Sequence, residues 1–294
     1  MLGVSAWTTA RVVALIWCIA PLLAFGFLGD RLARLCQKLP SALQFSLPAV
    51  FGVPYLLAGR AVGRGYGMMI YLGLPILIAV LLWRARRVDP EQQGNWRDFT
   101  ILIVLGLPVD LRWFDAAWPP HLSIVSKLIL LDAGLYGFLV IRQLSGVGFD
   151  LRIGRQDVIV GLREWLFYAP IAIILGFALG FLRLNAHLPT PGSAAGALLI
   201  TFFLIAIPEE IYFRGWMQNL LERRLGRTGS LWLTAIVFGL SHFNKRGAHF
   251  NGPYVVLASI AGVFYGRAWR ARNRIAAAAI THSAVDTVWT LWLS

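Results

Sequence analysis

The hydrophobic positions of this 294-residue chain fall into long continuous runs rather than into the alternating or helical spacing of soluble elements. A helix that crosses a bilayer needs about 20 mostly apolar residues, with a range of about 17 to 25. Ten runs approach that length, and because some of them are short or weak we expect eight to ten spans. The runs lie at 10–28, 41–59, 66–83, 99–114, 122–141, 165–182, 194–216, 229–242, 253–268 and 275–293.

Composition indicates the same class of protein. Hydrophobic residues make up 58% of the chain and charged residues 14%, and the mean hydropathy is +0.67, whereas roughly a quarter of residues are charged in soluble domains. These values exclude a soluble globular enzyme and a disordered chain, and the two cysteines, Cys18 and Cys36, are too few for a disulfide scaffold. The sequence therefore predicts an all-α, polytopic transmembrane helical bundle.

The basic residues lie mainly in short clusters between the apolar runs. The net charge is +13, which in a soluble protein would favour nucleic acid, but Lys and Arg between membrane spans are retained on the cytoplasmic side. With ten spans, eighteen basic residues fall on one side of the membrane and seven on the other. This split predicts both termini outside the cytoplasm, membrane lipid as a partner and no nucleic-acid partner.

The connection at 142–164 is the most polar long stretch between two apolar runs, and it predicts an internal boundary. The part before it contains few intramembrane ionisable residues, and the part after it contains several at helical spacings. Such residues are costly within a membrane and are usually functional. We expect 1–160 to form accessory transmembrane helices and 161–294 to form the transmembrane core that carries the chemistry.

The run 194–216 ends with two adjacent acids, Glu209 and Glu210, which Arg214 follows. Glu210 and Arg214 are four residues apart with the acid first, which is the favourable order for an ion pair on a helix. Glu209 points about 100° away, so we expect it to be free, partly desolvated and able to act as a general base. Pro208 removes a backbone hydrogen bond just before it, which can bend the helix toward a cavity. The alternative is that the acids mark a helix end at the lipid headgroups, with Arg214 snorkelling.

Two further pairs with helical spacing follow in the last third of the chain. Phe238 and His242 are four residues apart, and so are His282 and Asp286, so each pair lies on one helix face. A structural interpretation, with an interfacial His242 and a His282–Asp286 pair that joins two helices, stays open. Together with Glu209, these groups suit the activation of water and the stabilisation of an oxyanion, and they equally suit a metal site.

The remaining histidines and one membrane-embedded acid are not part of these motifs. His121, His187 and His249 lie in predicted loops, and we assign them no function. Asp132 lies within the run 122–141 and has no assigned role. We expect it to pair with a neighbouring helix or to face a wet cavity.

Three short motifs on successive predicted helices resemble those of the CPBP intramembrane proteases. This family includes the CAAX-processing endopeptidase Rce1 and the bacterial Abi-type proteins, and the resemblance covers roughly residues 190–290. It departs from the eukaryotic-type members at Asp286, where they typically have Asn, and an ionised Asp cannot donate a hydrogen bond. The motifs are Glu209-Glu210-x-x-x-Arg214, Phe238-x-x-x-His242 and His282-x-x-x-Asp286.

The resemblance implies an intramembrane endopeptidase that hydrolyses a peptide bond of a membrane-associated protein or peptide. It implies a catalytic cavity at the membrane–cytosol boundary, which agrees with the charge split if Glu209 lies toward the cytoplasmic end of its span. It further implies that Glu209 and His242 activate water, and that His282 and Asp286 orient and stabilise the tetrahedral intermediate. The supporting residues are Glu210, Arg214 and Phe238.

Several alternatives accompany this interpretation. We favour direct activation of water by Glu and His and expect no cofactor, because the sequence lacks the HExxH helix of the zincins; a zinc site formed by Glu209, His242, His282 and Asp286 is the alternative. A non-proteolytic membrane scaffold or immunity factor of the same fold is another, and a proton-coupled transporter that uses Glu209, Asp132 and Asp286 is the least favoured. Short loops and Arg-rich edges favour an integral protein of a bacterial inner membrane.

Overall fold

A computed structural model describes residues 8–59, 64–119, 122–185, 189–245 and 250–293, and within these ranges the chain is helical and contains no strand. The predicted all-α class is therefore confirmed. His121, His187 and His249 lie outside the described residues, as do Arg60 and Arg246 of the charge count.

The chain divides into two compact units, Met1–Ser145 and Gly146–Ser294. We call them the N-terminal and the C-terminal unit. The division into an accessory segment 1–160 and a catalytic segment 161–294 is a functional statement and stays a prediction.

The N-terminal unit begins with a helix of 29 residues, inside which Pro21 is tolerated, as is common for prolines in membrane bundles. Its helices are α1 (Thr9–Gln37), α2 (Ser41–Ser46), α3 (Val53–Ala58), α4 (Arg64–Met68), α5 (Leu74–Val88), α6 (Trp96–Asp110) and α7 (Ser123–Leu135), with 3-10 segments at Leu47–Gly52 and Asp115–Ala117 and π-helical segments at Met69–Gly73 and Tyr136–Ile141.

Among its described residues the C-terminal unit contains five long or composite helical stretches, which carry six of the seven motif residues, and His242 lies in the turn just after one of them. They are α8 (Arg155–Ala178), α9 (Pro191–Thr201) and α10 (Ile207–Glu210) with π-helical segments at Phe202–Ala206 and Ile211–Gln218, α11 (Asn219–Leu240), α12 (Gly252–Arg272) and α13 (Ile275–Trp292).

Six helical stretches among the described residues are long and apolar enough to cross a membrane. The predicted count of eight to ten spans stays a prediction, since α6, α12 and α13 do not meet the same criterion of length and hydropathy. The six are Thr9–Gln37, Ser41–Ala58, Gly65–Val88, Ile124–Ile141, Arg155–Ala178 and Pro191–Leu240.

The longest candidate, Pro191–Leu240, is a helical hairpin rather than one straight helix. It has 50 residues, and Gly226 within it adopts φ 69° and ψ 179°, a conformation that glycine reaches at little cost and other residues avoid. The part of α11 after Gly226 runs back alongside the π-helical segment Ile211–Gln218, since the rings of Phe213 and Phe238 are in contact with centroids 5.0 Å apart. The two arms correspond to the predicted runs 194–216 and 229–242.

Glycines set the close approach of α11 and α12. A Cβ atom at Gly239 would collide with Ser259 Oγ and would lie 2.5 Å from the carbonyl oxygen of Val255. At Gly262 it would lie 3.0 Å from Ala235 Cα. Small residues at such crossings let membrane helices pack through their backbones, so these positions hold the second motif helix against α12.

A pair of alanine substitutions tests this packing. Gly239→Ala is expected to lower the stability of the folded protein by about 1–3 kcal/mol, because the added methyl group overpacks a backbone contact. Gly196→Ala in α9, where nothing lies within 4 Å of the added atom, is expected to be neutral or to stabilise by up to about 1 kcal/mol. Thermal aggregation in detergent measures both variants, and equal midpoints would contradict the packing role of Gly239.

The charge split makes a prediction about membrane orientation. A reporter that is active only in the cytoplasm is expected to give signal when fused after Arg155 or Arg272, and none when fused after Lys245, because Lys and Arg are retained inside. The reverse result at two of these three sites would contradict the ten-span topology. It would leave the proposed roles of the motif residues open.

Candidate active site

Glu209 and Glu210 lie in the short helix α10, between two π-helical segments. Pro208 occupies one of its first positions, where a missing backbone N–H is tolerated. A π-helical turn inside a longer helix is often found at a functional site. The irregular backbone therefore surrounds the two acids of the first motif.

The ion pair expected within the first motif is present. Arg214 Nη1 donates to Glu210 Oε1 over 2.9 Å, and both side chains are fully buried. Arg214 Nη2 also donates to the carbonyl oxygen of Gly262 over 3.0 Å, and the guanidinium carbon lies 4.7 Å from the centre of the Phe238 ring. The pair therefore joins the first motif helix to α11 and α12.

Glu210 has a second partner that the sequence analysis did not assign to it. The same Oε1 atom lies 2.7 Å from His282 Nδ1. Because a carboxylate only accepts, Nδ1 carries the hydrogen, and the orientation of the imidazole is fixed by Glu210. The first and third motifs thus meet through a buried carboxylate that also holds Arg214.

The other ring nitrogen of His282 faces the remaining acids. His282 Nε2 lies 3.5 Å from Asp286 Oδ2 and 3.9 Å from Glu209 Oε2. The imidazole is 2% exposed, while the side chains of Glu209 and Asp286 are 27% and 25% exposed. Tyr265 stacks on the imidazole with ring centroids 4.6 Å apart and an interplanar angle of 14°.

His242 lies in the turn that follows α11 and is 5% exposed. Its Nδ1 atom is 2.8 Å from the carbonyl oxygen of Phe238, and since that oxygen only accepts, Nδ1 carries the hydrogen of the neutral ring. The lone pair is then on Nε2. The ring of Phe238 lies between the two histidines, with its centroid 4.8 Å from that of His242 and 5.6 Å from that of His282.

Two residues of this site were not identified from the sequence. Lys245 Nζ lies 3.8 Å from Glu209 Oε1, although the charge count treated Lys245 as a loop residue. Tyr265 contacts His282, and its position inside an apolar run gave no signal of a function. Only the three-residue separation of Lys245 from His242 could have suggested its proximity.

The site adjoins a cavity of ≈ 480 Å³ within the C-terminal unit. Its walls are mostly aromatic and aliphatic, and the motif residues that line it are Phe238, His242, His282 and Asp286. Glu209 contacts His282 beside the cavity and is not part of its wall. The predicted convergence of the three motifs on one place therefore occurs in the structure.

Asp132 belongs to the N-terminal unit and not to the unit that contains the motifs. It is 1% exposed in α7, and its Oδ1 atom has no hydrogen-bond partner among the described residues. The structure gives no account of its role.

The charges of the site nearly balance. Three carboxylates and two fixed cations, Arg214 and Lys245, surround the imidazole of His282. An imidazolium at His282 would bring the set to neutrality, which lowers the cost of burying His282 beside Glu210 and Arg214 because an uncompensated charge is costly in a low dielectric. The arrangement can therefore present a carboxylate, a neutral imidazole and a cationic imidazole to one place.

A metal site, the alternative predicted from the sequence, has no preformed set of ligands among the described residues. Among the residues that the structure describes, no group of three or more His, Cys, Asp or Glu side chains is arranged to hold a metal ion. Nδ1 of His242 and Nδ1 of His282 both have hydrogen-bond partners, so Nε2 of each ring is the atom that could ligate a metal. Experiment decides between the two kinds of site, as described below.

Comparison with known protein families gives a match for the C-terminal third of the chain. Residues 191–288 match the family model described as type II CAAX prenyl endopeptidase, Rce1-like, and this segment includes all seven motif residues. No curated protein and no solved structure matches the chain. The matched family is a family of proteases, and its model agrees with the resemblance to the CPBP and Abi proteins. Over residues 191–288, this integral membrane protein is therefore similar to the Rce1-like endopeptidases.

Proposed function

We propose that this protein is an intramembrane endopeptidase that hydrolyses a peptide bond of a membrane-associated protein or peptide with water activated by Glu209 and His242. The observation that carries the proposal is the meeting of His242, His282 and Asp286 at one buried cavity, with Glu209 against His282. A site with a base, an orienting pair and a cationic donor has the parts that peptide hydrolysis needs.

Two groups at the site can accept a proton from water, the carboxylate of Glu209 and Nε2 of His242. The carboxylate of Glu209 is partly exposed, and Lys245 stabilises its negative charge. Nε2 of His242 is the acceptor of its ring, because Nδ1 donates to the Phe238 carbonyl. A water held between them would lose its proton to one group as it attacks the peptide carbonyl carbon, and the leaving amine would be protonated in turn.

Stabilisation of the tetrahedral intermediate falls to His282. Asp286 is a carboxylate and has no hydrogen to donate, but its Oδ2 atom lies 3.5 Å from His282 Nε2 and favours the protonated imidazole, whose Nδ1 is held by Glu210 Oε1. A protonated His282 can donate from Nε2 to the developing oxyanion. The Asp in place of the Asn of other family members is accommodated in this way, as a partner of the donor rather than as the donor.

Glu210 and Arg214 act as positioning residues in this mechanism. Neither reaches the cavity wall, and both are fully buried. They fix His282 Nδ1 and close the packing between α10, α11 and α12. Membrane lipid is the surrounding partner, and a bacterial inner membrane is the location that the short loops and clustered arginines support.

A metal-free site makes a prediction of its own. The purified protein is expected to contain far less than one zinc per chain and to keep its activity after prolonged treatment with a chelator. The reason is that Glu209 and His242 would activate the water that a zinc ion activates in a metalloprotease. Zinc close to one per chain, together with activity lost to chelator and restored by zinc, would establish a metalloprotease that uses the same four residues.

The proposed activity is tested by comparing the membrane proteomes of cells that express the native protein and Glu209→Ala. We expect at least one membrane-associated precursor to accumulate with Glu209→Ala, and its shortened product to appear only with the native protein. Identical proteomes, with both proteins present in equal amount, would instead support the scaffold or immunity alternative.

A further inference from the structure

Two arginines on neighbouring helices share one buried carboxylate. Glu164 in α8 is 1% exposed, while Arg163 beside it and Arg267 in α12 are 49% and 48% exposed. Arg163 Nη2 and Nε donate to Glu164 Oε1 over 2.8 and 3.2 Å, and Arg267 Nε lies 2.9 Å from Glu164 Oε2. The carboxylate therefore holds one guanidinium at each of its oxygens, and both guanidiniums reach the surface. We call these three residues the Glu164 cluster.

The Glu164 cluster carries one net positive charge. A guanidinium stays protonated in proteins, and among the residues that the structure describes Glu164 is the only acid at ion-pairing distance from either arginine. Nη1 of Arg163 and both Nη groups of Arg267 form no hydrogen bond with those described residues. One positive charge and several N–H donors are thus available to an anion.

The cluster lies inside helices and not in the polar connections between them. Arg163 is eight residues after the start of α8 at Arg155, about 12 Å along the axis, and Arg267 is five residues before the end of α12 at Arg272, about 8 Å. Because α8 is long and apolar enough to cross a membrane, an exposed charge within it borders lipid. Such a charge is costly there unless a partner compensates it.

The side chains around Arg163 on the same face of α8 are apolar and exposed. Ile159 lies four residues before Arg163, and Leu166 and Phe167 lie three and four residues after it, so they share its face. They are 44%, 60% and 53% exposed. A small soluble anion gains nothing from such a surface. An anion that carries hydrocarbon chains can pair with the arginines and also cover the apolar side chains.

We propose that the Glu164 cluster binds the phosphate of an anionic phospholipid, whose acyl chains lie along Leu166 and Phe167. Arginine forms short, charge-assisted hydrogen bonds with phosphate oxygens, and basic pockets between membrane helices bind anionic headgroups in this manner. A phospholipid with one net negative charge neutralises the cluster. A zwitterionic phospholipid brings a cation of its own and leaves the charge of the cluster uncompensated, so the anionic class is the ligand that this charge selects.

The lipid site is separate from the candidate active site. None of the three cluster residues lines the catalytic cavity, although Trp165, the residue after Glu164, does. Within the described part of the chain, the ion pairs and hydrogen bonds of the cluster do not include a motif residue. The inference therefore does not rest on the proposed function, and lipid binding can be measured without a substrate.

Native mass spectrometry of the purified, delipidated full chain measures this binding. Phosphatidylglycerol and phosphatidylcholine with identical acyl chains are added at equal concentration. We expect the native protein to retain phosphatidylglycerol in preference to phosphatidylcholine. Arg163→Gln with Arg267→Gln is expected to bind phosphatidylglycerol about tenfold more weakly, because the two cations at the phosphate are lost.

The matched control is Arg227→Gln with Arg272→Gln, which removes the same number of charges from the same unit. These two side chains are 75% and 40% exposed, and each lies 3.6 Å from an acid outside the cluster. The control is expected to keep the native preference for phosphatidylglycerol. An equal loss of preference in the control would show that the net charge of the unit attracts the lipid, and would overturn the assignment to the cluster.

A third variant avoids leaving Glu164 without a partner, since an unpaired buried charge destabilises a fold. Arg163→Gln, Glu164→Gln and Arg267→Gln together remove the whole cluster, and Arg227→Gln is the control with the same net charge. The triple variant is expected to keep the thermal aggregation midpoint of its control and to lose the preference for phosphatidylglycerol. A folded triple variant that keeps the preference would overturn the proposal, as would equal binding of both lipids by the native protein.

Glycerophosphoglycerol separates a lipid site from a site for soluble phosphates. It is the headgroup of phosphatidylglycerol without acyl chains, and at the concentration of the lipid it is expected to leave the lipid bound. Displacement of the lipid at equal concentration would assign the cluster to soluble phosphates and overturn the lipid proposal.

Discussion

Replacing Arg214 by methionine is expected to lower the yield of folded protein and to abolish activity together. Glu210 and His282 would then share a buried site without the guanidinium that now bonds Glu210 Oε1 at 2.9 Å. Removing one partner of a buried ion pair costs about 3–5 kcal/mol, because the other charge is left uncompensated. Glu210→Gln is expected to have the same double effect, since it also weakens the bond to His282 Nδ1.

The matched control for this experiment is Arg227→Met. Arg227 is 75% exposed and lies 3.6 Å from Glu222, and exposed pairs contribute only about 0–1 kcal/mol. Thermal aggregation midpoints and membrane yield are measured for both variants. The double variant Glu210→Met with Arg214→Met is expected to recover stability without activity, because His282 then lacks its partner at Nδ1. An Arg214→Met protein with native stability and activity would show that the Glu210–Arg214 ion pair supports neither folding nor activity.

Replacing Glu209 by glutamine is expected to abolish cleavage and to leave the protein stably inserted. The amide keeps the size of the side chain but cannot accept the proton of water, and general-base catalysis contributes typically 10²–10⁴-fold. Glu209 is partly exposed and is not a member of the buried pair, so its neutralisation should cost little stability. Cleavage of the accumulating precursor in membranes, with protein amount checked by immunoblot, measures the effect.

Glu222→Gln is the control for the loss of one acid from the same unit. The side chain of Glu222 is 25% exposed and pairs with Arg270 near the end of α12, so its exposure resembles that of Glu209 while its position is remote from the motifs. It should retain native cleavage. An active Glu209→Gln protein beside a stable but inactive Glu210→Gln protein would show that the two acids have exchanged the roles assigned here.

Helical spacing predicted the contacts within each motif. Residues four apart on a helix share a face whatever the tertiary structure, and both Glu210 with Arg214 and His282 with Asp286 meet in this way. Hydropathy predicted the all-helical class for a similar reason, because an uninterrupted apolar run satisfies its backbone only as a helix in lipid.

Contacts between motifs could not be read from spacing. The bond of Glu210 to His282, the stacking of Tyr265 and the ion pair of Lys245 with Glu209 depend on how α10, α12 and α13 pack. The polar stretch between the runs 194–216 and 229–242 predicted a connection there, but not that the chain would turn at Gly226.

Hydrolysis in isotopically labelled water tests the central claim most directly. The purified protein in lipid nanodiscs is incubated with the accumulated precursor in water enriched in oxygen-18, and the masses of both fragments are determined. The account predicts that the newly formed carboxyl end gains one heavy oxygen atom with the native protein and with Glu222→Gln, and that no fragments form with Glu209→Gln. Fragments that form equally with Glu209→Gln, or no fragments with the native protein, would contradict it.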